Sequence, residues 1–145
     1  MRIDLSIAEY GLKVDAHLKC PSLASAGEVP FIVDTGSPRT LLSVVDAKKL
    51  GIETSSLNRC HVPIYGIGGS GRCWDLPDAI LFLASDEGLE FLLKDDILVY
   101  KNPEGRKKGQ KMVQRLASIL GRDFLKESGF KLIVDMKNEE AYLEK

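Results

Sequence analysis

An aspartate set directly behind a run of apolar residues is the first feature of this sequence that could do chemistry. In Phe31-Ile32-Val33-Asp34-Thr35-Gly36-Ser37 a strand-like segment delivers one carboxylate, two hydroxyls and a glycine within four residues. Desolvation beside such a strand raises the free energy of the charged form, so Asp34 needs hydrogen-bond donors or a shifted pKa. Thr35 and Ser37 supply hydroxyls, and Gly36 permits a tight turn whose N–H can approach closely. A loop built this way presents a carboxylate instead of hiding it. Taken alone, the tetrapeptide also fits an aspartate that merely caps a turn.

Other candidates are weaker. Gly66, Gly68 and Gly71 match the spacing of a dinucleotide fingerprint, which must open a helix packed on a parallel sheet. Here Arg72-Cys73-Trp74-Asp75-Leu76-Pro77 follows, then the strand-like Ile80-Leu81-Phe82-Leu83, so a hairpin tip is the better reading. Asp135, in Ile133-Val134-Asp135, repeats the approach to Asp34 but lacks the Thr-Gly-Ser that would hold a buried carboxylate. It reads as a strand-end residue. Cys20, Cys60 and Cys73 are odd in number with no CxxC spacing, and His17 and His61 stand at no ligand-like distance from them. Reduced, mostly buried thiols follow, with no metal and no cofactor. Cys60 and Cys73 flank the glycine cluster and could face each other across a hairpin, where a disulfide stays open as the lesser alternative.

The elements that must position Asp34 are short. Ile3-Leu5-Ile7 and Val14-Ala16-Leu18-Cys20 alternate as strands. Residues 21–27 read as a connection, and Pro30-Phe31-Ile32-Val33 as a strand buried on both faces. A two-turn helix is predicted after Ser43, with Asp46 three residues on and Gly51 ending it. Val62 to Leu83 predicts two strands around the glycines, and Leu89 to Tyr100 is mixed. Lys101 to Lys111 is polar and basic and reads as a solvated loop. A second short helix is predicted from Arg122 to Gly129, then a strand over 130–134 that pairs with 138–143. Many short strands with two brief helices predict an all-β domain.

The 145 residues suit one domain spanning 1–145. A net charge of −1 gives no field that would favour nucleic acid or membrane as partner. No apolar run approaches the roughly 20 residues of a membrane span. The first residues alternate polar and apolar with no continuous hydrophobic stretch, so a cytoplasmic location is expected.

Three segments together resemble one family. Phe31 to Ser43 (FIVDTGSPRTLLS) is similar to the active-site strand and loop of the retropepsin-like aspartic proteases, single-lobe relatives of pepsin. Ile119-Leu120-Gly121-Arg122-Asp123-Phe124-Leu125 resembles their second signature, and Tyr65-Gly66-Ile67-Gly68-Gly69 the tip of their flap hairpin. The three occur in family order and span much of the chain from Phe31 onward. The resemblance implies a single-lobe acid-protease barrel with a flap hairpin and one or two short helices, acting on a polypeptide substrate.

It also assigns roles. Asp34 would be the catalytic carboxylate, and Thr35 would reach across to a second, identical subunit. Gly36 would donate its N–H to the carboxylate and Ser37 its hydroxyl to the outer oxygen. Tyr65, Gly66, Ile67, Gly68 and Gly69 would meet substrate, and Ile119, Leu120 and Gly121 would cross behind the loop. One departure stands out: the retroviral enzymes carry an acidic residue after the triplet that pairs with the arginine of the second signature. Here Pro38-Arg39 follows Ser37, which suggests a swapped pair between Arg39 and Asp123. Hydrolysis by carboxylates alone needs two of them sharing one proton. With one competent motif in the chain, the second Asp34 must come from a homodimer partner on a twofold axis. The alternative is a catalytically silent peptide-binding or scaffolding domain of the same fold.

Overall fold

Alternation of apolar and polar residues builds the longest strands. The computed structural model describes residues 1–66, 69–94, 96–101 and 117–145, with backbone alone for strand residues 62–66, 69–70 and 91–94. β1 (Arg2–Asp4) and β2 (Ser6–Ala8) precede β3 (Gly11–Cys20), in which Val14, Ala16, Leu18 and Cys20 are buried while Asp15 and Lys19 are exposed. Ile3 and Leu5 are also buried, but Ile7 is exposed because β1 and β2 join different sheets. A 3₁₀ turn at Pro21–Leu23 reverses the chain into β4 (Ser25–Val33), which pairs with β3 from Leu12↔Val33 to Cys20↔Ser25. The connection expected over 21–27 is thus shorter, its last three residues being strand. β4 is also buried on one face only: Phe31 and Val33 point into the core, whereas Pro30 is exposed and Ile32 half-buried.

Next come β5 (Leu41–Ser43) and α1 (Val44–Lys49), whose N-terminus is capped as predicted by the Ser43 hydroxyl accepting from the Asp46 N–H. β6 (Arg59–Gly66), β7 (Gly69–Asp75) and β8 (Ala79–Ser85) replace the two strands expected between Val62 and Leu83. The extra break falls at Pro77-Asp78, where Asp78 turns the chain with φ 49°. β9 (Gly88–Lys94), β10 (Leu98–Lys101) and β11 (Ser118–Leu120) follow, then α2 (Arg122–Ser128), β12 (Lys131–Asp135) and β13 (Glu140–Glu144). Beyond Lys101, the basic segment up to Lys111 lies outside the described residues. Both helices and the C-terminal hairpin stand where the sequence places them.

Two sheets result. The smaller has the order β1-β13-β12, and the larger runs β6-β7-β10-β5-β11-β4-β3-β8-β9 with β2 added on β3. Among the described residues the chain is all-β with two short α-helices, as expected, although the large sheet runs open from β6 to β9 without closing as a barrel. No described helix is long and apolar enough to cross a membrane. Leu18, Phe31, Leu81, Leu120, Phe124 and Leu143 form the centre of the main core. A second, smaller cluster joins Leu41, Cys73, Leu98 and Tyr100, with Cys60 and Ile119 packed on it.

Asp135 is a strand-end residue, as the sequence suggests. Its carboxylate accepts from the Lys137 and Asn138 N–H groups and from Asn138 Nδ2 at 2.7 Å, closing the β12–β13 turn. The Asn138 donors, backbone first, hold this carboxyl below its usual range. A lowered folded pKa stabilises the hairpin above the ordinary carboxylate value, and that stabilisation is lost as pH falls through the folded one.

Phe31 is fully buried on the strand that delivers Asp34. Phe31→Ala is expected to lower the unfolding free energy by about 3–5 kcal/mol. Urea denaturation reads this as an earlier midpoint at unchanged slope. A midpoint equal to that of the parent chain would contradict the burial.

Candidate active site

β4 ends at Val33, and the ladder continues one step further, with the Asp34 N–H donating to the Leu120 carbonyl at 3.0 Å. This contact exists because β11 lies between β4 and β5. Ser118, Ile119 and Leu120 run parallel to Phe31, Ile32 and Val33, while Ile119 faces Leu41 of antiparallel β5. The loop 34–40 must therefore bridge two strands separated by a third, and the chain leaving β11 passes behind it. Ile119, Leu120 and Gly121 do cross behind the Asp34 loop, as the resemblance implies.

Gly121 is required by that crossing. A Cβ there would stand 2.4 Å from the Arg39 carbonyl oxygen and 2.9 Å from the Arg39 nitrogen, both backbone atoms. The passage is then stitched shut. The Arg122 N–H donates to the Ser37 carbonyl at 2.9 Å, and the Gly121 N–H to Thr40 Oγ1 at 3.2 Å. Asp123, in the first turn of α2, accepts from the Thr40 N–H at 2.9 Å and from the Thr40 hydroxyl at 2.8 Å. Thr40 is fully buried with its hydroxyl both donating and accepting.

This clamp corrects the swapped pair. Asp123 holds Thr40 instead of Arg39, and among the described residues no ion pair links Arg39 to Asp123. Thr40 is fully buried, while the half-buried Arg39 precedes it in the bend at Pro38-Arg39. The carboxylate so spends itself on a buried hydroxyl and N–H that would otherwise be unsatisfied.

A second buried seam holds the same strands from the side of α1. Ser118 Oγ donates to Asp46 Oδ2 at 2.7 Å and accepts from the Ser43 N–H at 3.0 Å. Asp46 also meets Lys49 Nζ at 3.4 Å. The Tyr100 hydroxyl donates to the Ala117 carbonyl, and burial, helped by the charge of Asp46, pushes this phenol up to about 12. Ser118 and the second role of Asp46 were missed in the sequence; a serine just before the Ile119-Leu120-Gly121 run was the available signal.

The loop's own residues fall as follows. Asp34, Thr35 and Gly36 are exposed, and Ser37 is half-buried. Asp34 Oδ1 accepts the Gly36 N–H at 2.8 Å, as expected, and a Cβ on Gly36 would come within 3.0 Å of that oxygen. The Ser37 N–H donates to the Asp34 carbonyl, closing the turn. The Ser37 hydroxyl does not reach the outer carboxylate oxygen; it donates to the Arg39 carbonyl at 2.7 Å, drawn back by the fold of the loop. Among the described residues, Asp34 thus accepts one side-chain hydrogen bond, and the residue is exposed.

The glycine cluster forms the hairpin expected of it. Tyr65 pairs with Ser70 and Gly66 with Gly69, while Ile67 and Gly68 lie outside the described residues. Trp74 packs partly against the main core at the hairpin's base, with the Arg59 guanidinium 5.8 Å from its ring. Tyr65, Gly66 and Gly69 are thus brought to the tip, and Asp34 to the loop between β4 and β5. A separate cleft of about 480 Å³, lined by Asp15, His17, Glu28, Phe82 and Leu89 among others, includes no residue of the Asp34 loop.

No protein-family model matches the chain, and no curated protein matches it in sequence. In three dimensions it is similar to a retropepsin-like aspartic protease from Rickettsia conorii, with a TM-score of 0.57 at 18% identity over 99% of this chain and 89% of the other. It is also similar to the EIAV protease complexed with the inhibitor HBY-793, with a TM-score of 0.50 at 17% identity over 84% of this chain and 91% of the other. The fold is retropepsin-like.

The clamp is expected to be separable from the carboxylate it positions. Asp123→Ala leaves two buried Thr40 donors without their acceptor, at a cost of about 1–3 kcal/mol for each. Asp123→Asn keeps an acceptor oxygen and is expected to lose less. Thermal melts of the two variants side by side test this, and equal stability to the parent in both would remove the clamp's role.

Proposed function

We propose that this chain is one half of an aspartic endopeptidase, with Asp34 meeting its own copy across a homodimer. The observation that carries the reading is the state of Asp34 itself. It is exposed, held by one N–H on a glycine loop, and backed by a fully satisfied buried network. A structural aspartate at a strand end would spend its acceptors locally, as Asp135 does.

Two such carboxylates about 3 Å apart cannot both ionise easily, so one proton is shared between them. The unprotonated partner takes a proton from water as it attacks the peptide carbonyl, and the protonated one hydrogen-bonds the carbonyl oxygen as charge develops there. The pair titrates as a unit. Thr35, exposed beside Asp34, would tie the two loops together across the axis, and Gly36 and Ser37 would fix each loop's shape. The β6–β7 hairpin, with Tyr65, Gly66, Ile67, Gly68 and Gly69, would lay backbone groups along an extended substrate. Its partners are then a second copy of itself and a polypeptide. Three reduced cysteines fit a reducing compartment and support a cytoplasmic location.

The retropepsin-like fold favours this reading over a silent peptide-binding domain, which has no use for an exposed carboxylate so carefully backed. Asp34→Asn is expected to remove peptidase activity while leaving a folded dimer, read by cleavage of a denatured-protein mixture beside sedimentation. Unchanged cleavage in this variant would end the mechanism. Activity is also expected to peak below neutral pH and to fall on dilution together with the dimer. A rate that climbs steadily to alkaline pH would count against a shared proton.

A further inference from the structure

Cys60 and Cys73 stand directly opposite each other in the β6–β7 ladder, both as thiols. Cys73 is buried and Cys60 half-buried, and the Cys73 thiol donates to the Cys60 carbonyl oxygen at 3.3 Å. Residues facing each other across an antiparallel pair have Cα atoms about 4.5 or 5.5 Å apart. Both spacings fall within the roughly 4.4–6.8 Å that a disulfide spans. Their side chains leave the same face of the ladder.

The position of the pair gives the bond a consequence. Immediately beyond it the register shifts: His61, Val62 and Pro63 of β6 stand against Arg72 alone before pairing resumes at Ile64↔Gly71. Such a bulge bends a strand and leaves the ladder locally unpaired. The two cysteines are thus the last regular pair before the bend that carries the hairpin tip. On the other side they belong to the small core with Leu41, Leu98 and Tyr100, on which Ile119 also packs. Leu41 and Ile119 are the residues that face each other behind the Asp34 loop.

We infer that Cys60 and Cys73 are a thiol–disulfide modification site, oxidised by hydroperoxides and reopened by small thiols, that locks the base of this hairpin. In the first step the sulfur of Cys60 attacks the peroxide; an S–O bond forms, the O–O bond breaks, and an alcohol or water leaves. The sulfur loses two electrons to the peroxide and becomes a sulfenic acid. The Cys73 sulfur then attacks it; an S–S bond forms, the S–O bond breaks, and water departs with the Cys73 proton. Burial, with the Cys60 thiol beside it, pushes the Cys73 thiol up to about 11. The more accessible Cys60 is therefore the sulfur that peroxide reaches first. Cys20 is buried elsewhere, in the main core, and takes no part.

The bond itself does not depend on the proposed peptidase function; its effect on cleavage does. The test treats the full chain with hydrogen peroxide and reads intact mass, peptide mapping without reductant, and peptidase activity. The expected result is a mass lower by two hydrogens, a linked pair of peptides carrying Cys60 and Cys73, a higher melting temperature, and a loss of cleavage that dithiothreitol reverses. Cys60→Ser is expected to remove the link and the peroxide sensitivity, and Cys20→Ser to leave both unchanged. Overoxidised Cys60 with no internal link, or disulfides only between chains, would overturn the site. If the link forms while the reduced chain cleaves nothing, the peptidase reading fails and the site stands. If the link forms and cleavage continues undiminished, the locking role fails alone.

Discussion

The carboxylate of Asp123, turned inward onto Thr40, decides where Asp34 can stand. A loop that bridges two strands on either side of a third has no ladder of its own to fix it, since β11 takes the hydrogen bonds β4 and β5 would otherwise exchange. Its shape must come from behind. Asp123 binds the far end of the loop through Thr40, Arg122 binds its middle through Ser37, and Leu120 binds its start through the Asp34 N–H. Gly121 lets the two chain segments lie close enough for all three. Each donor and acceptor in this passage answers another, which is why so polar a junction can sit against a core centred on Phe31, Leu120 and Phe124.

That rigidity matters because the loop's front is left unfinished. Behind, each buried side-chain polar atom among the described residues has a hydrogen-bond partner; in front, Asp34, Thr35 and Gly36 are exposed. A single chain holds one carboxylate in a defined position and nothing opposite it on the same loop. In the homodimer proposed above, a twofold axis would supply the second acid that proton sharing needs, without any new sequence. The stiffness of each chain would then set how well the two loops agree on that geometry.

Much of this was legible in the sequence where local chemistry decides. The Ser43 cap, the ends of both helices and the hairpins follow from residues a few positions apart. The loop of Asp34 and the crossing of Ile119-Leu120-Gly121 were legible through their resemblance to one family. What was not legible depends on which residue of a loop or a short strand the fold turns inward. Charge alone pairs Asp123 with Arg39, but the folded loop buries Thr40 against Asp123 and leaves Arg39 half-buried in the bend before it. The same ambiguity hid Ser118, whose hydroxyl finds Asp46 from 72 positions away. Ser37 failed for a related reason: its hydroxyl had two acceptors in reach along the loop, and only the folded turn selects the Arg39 carbonyl.

The sharpest contrast in the molecule is between two copies of one tripeptide. Ile32-Val33-Asp34 and Ile133-Val134-Asp135 each end a strand in an aspartate. Asp135 meets Lys137 and Asn138, whose N–H groups and amide consume its oxygens and draw its carboxyl firmly to the charged form. Asp34 meets Thr35 and Gly36, gives one oxygen to a single N–H and leaves the other unspent. The residues after the aspartate, more than the strand before it, therefore separate a turn from a candidate catalyst.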